Sequence, residues 1–177
     1  MNKEIKGALL VCFAATMWGF DGIALTPRLF SLPVPFVVFV LHLLPLVIMS
    51  IIFGKEEIKN IKKLGGSDLF YFFCVALFGG SLGTLSIVKA LFLVNFKHLT
   101  VVTLLQKLQP LFAIVLARII LKEKLKKDYL FWGFLALLGG YLLTFEFHFP
   151  TFEVGDNLLP ASLYSLLAAF SFGSATV

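Results

Sequence analysis

Four ionisable side chains stand inside otherwise apolar runs of this sequence: Asp21, His42, Lys89 and Lys107. Placing such a group in hydrocarbon costs from about 2.5 kcal/mol upward, so each needs a partner, water or a task. A carboxylate and an imidazole can take up and release a proton, which makes Asp21 and His42 the candidates for proton coupling. One carboxylate against two ammonium groups leaves surplus positive charge. In a site of low dielectric that surplus favours an anionic or carboxylate-bearing solute. The run that holds Lys107 adds neutral polar groups. Thr100, Thr103, Lys107 and Pro110 fall at offsets 0, 3, 7 and 10, on one face of a helix. Gln106 and Gln109 flank that stripe, where they could hold a solute or bond across helices. Pro110 cannot donate to the preceding turn and so frees a carbonyl there, which is tolerated beside a cavity or a partner helix.

Each of these groups also has a purely structural reading. Lys89 can snorkel to the headgroups along its apolar stem. His42 can be a neutral contact between helices, and Asp21 with Lys107 a structural ion pair. The sequence leaves both sets of readings open. Depth is more telling. At about 1.5 Å per residue, Asp21 and Lys89 lie about 7 Å in from Thr26 and Val94. His42 and Lys107 lie about 12 Å in from Val34 and Leu99. All four share the outer half of the membrane.

The elements that must position them are spanning helices. Of 177 residues, 59% are hydrophobic and 14% charged, with a mean hydropathy of +0.97. Soluble domains carry roughly 25% charged residues, and a core this small could not hide so much apolar surface from water. Five runs reach the ~20 apolar residues a crossing needs: 7–26, 34–53, 69–94, 99–121 and 129–147, with a sixth from Leu158 onward. None alternates as barrel strands do. Pro33 and Pro35 open the second run, and Gly65-Gly66-Ser67-Asp68 resembles a helix start before the third. The lysine-rich stretch from Lys55 to Leu64 reads either as a short surface helix or as a solvated loop. The fold class is an all-α integral membrane bundle.

Ten lysines (Lys3, Lys6, Lys55, Lys59, Lys62, Lys63, Lys122, Lys124, Lys126 and Lys127) fall on one side of these runs, and only Arg28 and Lys97 on the other. The bias predicts a cytoplasmic amino terminus in a cell (inner or plasma) membrane. The net charge of +5 lies in loops rather than on a basic stripe, so nucleic acid is not a partner expected here. Cys12 and Cys74 sit in apolar runs, and no metal-ligand spacing exists. No cofactor is expected.

Shifting the chain by 154 residues lays the sixth run on the first. Leu9 falls on Leu163, Ala14-Ala15 on Ala168-Ala169, Trp18 on Phe172 and Gly19 on Gly173. A repeat with an odd number of spans must re-enter from the opposite face, the inverted plan of many secondary transporters. Residues 1–150 then form one five-helix half. Residues 151–177 form an outer loop and the first helix of the next half, cut mid-span.

Several motifs carry a family resemblance in order: Trp18-Gly19, Gly79-Gly80-Ser81-Leu82-Gly83, the run Leu104 to Phe112, Leu121-Lys122-Glu123-Lys124-Leu125, and Gly139-Gly140-Tyr141-Leu142-Leu143. With them the chain resembles the EamA family of the drug/metabolite transporter superfamily. The resemblance implies ten helices in two inverted halves, alternating access without nucleotide hydrolysis, and Trp18 as a cavity wall. It leaves the substrate open. Gly79 and Gly83 make a G-x-x-x-G suited to close helix packing.

The expected function is transport of a small polar metabolite, amino-acid-like or otherwise carboxylate-bearing. Substrate contacts are expected at Trp18, Asp21, Lys89, Thr103, Gln106, Lys107, Gln109 and Pro110. The alternative is a non-transporting half-size partner that needs a missing second half or a second copy. An intramembrane enzyme, the least favoured reading, would want a nucleophile with its base, an Asp pair or a His-rich metal set. The runs supply one membrane Asp, so no catalytic residue is assigned. Asp21→Asn and Lys107→Gln, made in the full-length protein, are expected to impair solute uptake or efflux. Unchanged transport in both would remove these two groups from the mechanism.

Overall fold

Lipid offers no partner to a backbone amide, so a spanning segment must close its own hydrogen bonds. The computed structural model describes residues 3–61, 63–122, 124, 127–145 and 157–177, and every element among them is helical. Two units emerge, residues 1–33 and 34–177, and each is described by itself.

The first unit is α1 (Lys3–Phe20), a π-helical turn (Asp21–Leu25) and a 3₁₀ turn (Thr26–Leu29). Thr26 closes the wide turn twice. Its backbone N–H donates to the Asp21 carbonyl, and its hydroxyl donates to Asp21 Oδ1 at 3.2 Å. Leu9, Leu10, Val11 and Phe13 on α1 are all exposed, as suits a surface solvated by lipid or covered by another helix.

The second unit opens with α2 (Val34–Ile61), which carries Pro45 in its interior. The helix runs on through Ile61, beyond the apolar stretch that ends at Gly54, so the lysine-rich stretch up to Ile61 continues α2 and is neither a separate helix nor a loop. The third span is built from α3 (Gly66–Val75), a π segment (Ala76–Gly83) and α4 (Thr84–Leu93). Its start is fixed as the sequence suggests, with the Gly65 N–H donating to Asp68 Oδ2 at 2.9 Å. The fourth span is split into α5 (Leu99–Gln106) and α6 (Gln109–Ile120), with Pro110 in the first turn of α6. The elements α7 (Lys127–Phe145) and α8 (Leu158–Ser174) follow. Among the described residues, 34–54, 66–93 and 99–120 are long and apolar enough to cross a bilayer. The connection 146–156 lies outside the described residues.

Spans three and four are tied by a tight left-handed turn. Asn95 (φ 48°) and Phe96 (φ 60°) both adopt positive φ. The Phe96 N–H donates to the Leu91 carbonyl and the Asn95 N–H to the Phe92 carbonyl. This is the Schellman pattern, which satisfies carbonyls that the end of α4 would otherwise leave bare. Phe96 packs on the cluster of Ala90, Leu91, Val94, Val102, Leu158 and Ala161, which offsets its unfavourable backbone conformation.

The start of α8 therefore sits beside this turn, and its far end is fixed by glycines. A Cβ on Gly83 would meet the Phe172 ring at 2.7 Å, and one on Gly79 would meet Ala175 Cβ at 2.9 Å. A Cβ on Gly173 would lie 2.9 Å from the Gln109 carbonyl oxygen and 3.0 Å from the Ala113 nitrogen. Phe112 and Phe170 meet edge to face at 5.8 Å. Hence α8 runs antiparallel to span three and parallel to span four, in the groove between them. Its buried residues are mostly small: Ala161, Ser165, Ala168, Ala169, Ser171 and Gly173. Without a hydrophobic drive between helices in lipid, such residues allow the close approach that dispersion needs. The packing role expected of Gly79 and Gly83 is what the geometry gives.

Gly173→Ala is expected to destabilise the fold by about 1–3 kcal/mol, because its neighbours there are backbone. Gly139→Ala, whose Cβ would meet nothing within 4 Å, is expected to be neutral or slightly stabilising. Thermal melts in detergent compare the two.

Candidate substrate site

Where α2 passes the π segment of span three, a cavity of about 420 Å³ opens. Pro35, Val38, Phe39, His42, Ala76, Gly80, Ser81 and Leu85 line it. Its size falls in the usual range for small-molecule pockets, and its make-up is also typical, apolar walls with a few polar groups. Two local departures from regular helix lie in its two walls or one turn from them. Pro45 removes a backbone donor just beyond His42. The π segment inserts an extra residue into span three, a device common at functional positions. Thr84 bridges that widened turn by donating from Oγ1 to the Gly79 carbonyl at 3.4 Å, much as Thr26 does for Asp21.

His42 is the chemically distinctive wall. Its Nδ1 lies 2.8 Å from the Val38 carbonyl oxygen. A carbonyl only accepts, so Nδ1 carries the proton, and a ring with that single proton has its lone pair on Nε2. That nitrogen is the ring atom nearest Gly80, where a Cβ would stand 3.6 Å away. An alanine would fit, but a longer side chain would enter the cavity. A proton taken up by the ring would add at Nε2 and leave the Val38 bond intact. His42 can therefore offer the cavity an acceptor or a donor without moving.

The other expected site residues are distributed as follows. Lys89 lies eight residues beyond Ser81 along the same span, toward its carboxyl end, and it is exposed. Gln106, Lys107, Gln109 and Pro110 gather at the break in span four. There the Lys107 N–H is shared between the Thr103 and Leu104 carbonyls at 3.1 and 3.0 Å. The Thr103 hydroxyl is turned onto its own helix, 2.9 Å from the Leu99 carbonyl and 3.1 Å from that of Thr100. Gln109 abuts α8 through its backbone. Asp21 is held by Thr26 in the first unit, and the Trp18 side chain lies outside the described residues. Among the described residues, His42 is the one expected residue that lines the cavity.

Sequence reasoning missed Phe39 and Ser81, which look like ordinary members of an apolar run and a Gly-rich run. It also missed Ser171, a buried residue whose hydroxyl has no hydrogen-bond partner among the described residues. A buried orphan hydroxyl is costly, and its signal in sequence was only a serine in an alanine-rich helix. Nitrogen NMR of histidine-labelled protein in detergent, at alkaline pH, is expected to find His42 protonated at Nδ1 and bare at Nε2. The opposite tautomer would leave the cavity without its acceptor.

Comparison with known proteins agrees with this architecture. Residues 5–145 match the EamA-like transporter family. The whole chain is 85% identical over 177 residues to a protein of Fusobacterium nucleatum subsp. nucleatum named riboflavin transporter ImpX, and it spans 59% of that protein's length. No solved structure matches. A match over most of its length, on a chain of packed apolar helices with kinked and broken spans, makes this protein a multi-pass membrane member of the EamA-like transporter family.

Proposed function

We propose that this chain forms the first five-helix half (1–150) and the opening of a reversed second half (151–177) of a metabolite transporter with riboflavin as its solute. The transporter works by alternating access in the cell membrane, with its amino terminus cytoplasmic. The observation that carries this reading is the 85% identity, over the whole chain, to a protein named riboflavin transporter. The cavity supplies the chemistry. Riboflavin presents a flat tricyclic ring whose polar edge holds an N–H between two carbonyls, and a flexible polyol tail. Val38, Phe39 and Leu85 can bury the ring faces, while His42 Nε2 accepts from the ring N–H and Ser81 donates to a neighbouring carbonyl. The amides of Gln106 and Gln109 suit the polyol.

A second reading has specific support. Lys89 and Lys107 outnumber Asp21 among the charged groups of the spans, which favours an anionic solute. The two readings separate on substrate charge. In cells carrying this chain continued by the rest of the Fusobacterium protein, riboflavin fluorescence is expected to report saturable uptake. His42→Phe should lower it about tenfold, the worth of one hydrogen bond of ~1.4 kcal/mol. Gly80→Leu should abolish it by filling the cavity. Uptake of flavin mononucleotide or small carboxylates in place of riboflavin would establish the anionic reading, and no flavin uptake at all would end the first one.

A further inference from the structure

We infer that Thr84, which does not line the cavity, is a positioning residue for the solute: it fixes the spacing between the cavity's acceptor on α2 and its donor on span three. The inference rests on the cavity being the solute's seat, as proposed above, and one arm of its test needs no solute.

The reason lies in how the π segment ends. A hydroxyl within a helix has an ordinary use, the carbonyl four residues back. Thr16, Thr103, Ser165 and Ser174 all take it. Thr84 reaches five back, to Gly79. Where backbone bonds spanning five residues give way to shorter ones, the count steps over a carbonyl, and lipid would leave it bare. The hand-over falls at Thr84, whose backbone N–H returns to the Ser81 carbonyl. Its hydroxyl answers the carbonyl passed over.

Thr84 therefore donates to the residues on either side of Gly80. That glycine is where span three bears on His42, since a Cβ there would stand 3.6 Å from Nε2 and 3.9 Å from Cδ2. Gly79 and Gly83 are seated against Ala175 and Phe172. Gly80 has no side chain to hold its place, and glycine backbone is the most permissive of all. The two bonds from Thr84 supply the restraint. His42 and Ser81 carry the polar side chains of the cavity wall, and Ser81 adjoins the restrained glycine. A solute that meets both at once reads their separation to about half an ångström. The pair thus selects an edge carrying a donor beside an acceptor, such as an imide, over a solute with only one of the two.

In histidine-labelled protein in detergent, without solute, Thr84→Val is expected to move the Nε2 resonance of His42, which His42→Phe identifies by its loss. Thr84→Ser, which keeps the hydroxyl, should leave it in place. Uptake is measured in cells carrying this chain continued by the rest of the Fusobacterium protein. There the parent is expected to prefer riboflavin about tenfold over the analogue methylated at the ring N–H. Thr84→Val should erase most of that preference and Thr84→Ser should retain it. Thr84→Ala takes the place of valine where valine does not fold. A resonance that valine leaves in place, or that serine moves as far, would overturn the inference whatever uptake shows. So would a moved resonance with the preference unchanged. A moved resonance without any flavin uptake would end the riboflavin reading and leave the hold of Thr84 on His42 standing.

Discussion

The arrangement of the second unit depends on one close approach, that of the α8 backbone to the backbone of span four at Gly173. In water, apolar side chains would hold these helices together by burial. In lipid that drive is absent, and contact area at short range must replace it. Everything along α8 follows from the requirement. The buried residues are, apart from Leu158, Ala, Ser and Gly, the Phe172 ring lies in the space left at Gly83, and Gly79 leaves room for Ala175.

The same scarcity of partners explains the irregular helices. A π turn or a proline break frees backbone groups that lipid cannot satisfy, so each must be answered locally. Thr26 does this with its backbone N–H and Thr84 with its hydroxyl, each onto a carbonyl five residues back, and the split Lys107 N–H does it by sharing two carbonyls. These departures fall in three spans and include the wall of the cavity.

Much of the fold was legible in the residues. The runs 34–53, 69–94 and 99–121 differ from the observed spans by a few residues at their ends, because length, apolarity and Gly or Pro punctuation act locally. The glycine packing was legible too, since G-x-x-x-G has one dominant physical use. The site was only partly so. His42 stood out because an imidazole in a span is costly. Phe39, Ser81 and Leu85 did not, because a cavity wall of ordinary residues is created by the tertiary crossing of α2 with a π segment, and no local pattern announces that. Conversely, Thr103 looked available for a solute and instead bonds its own helix, an option every threonine in a helix has.

The left-handed pair Asn95–Phe96 sets how the fourth span is aimed. Its two hydrogen bonds both return to the end of α4, and Phe96 packs on the cluster that Val102 shares with the start of α8. Losing a single residue from it would rotate the fourth span by about 100° about its own axis, swinging Thr103 and Lys107 to another side.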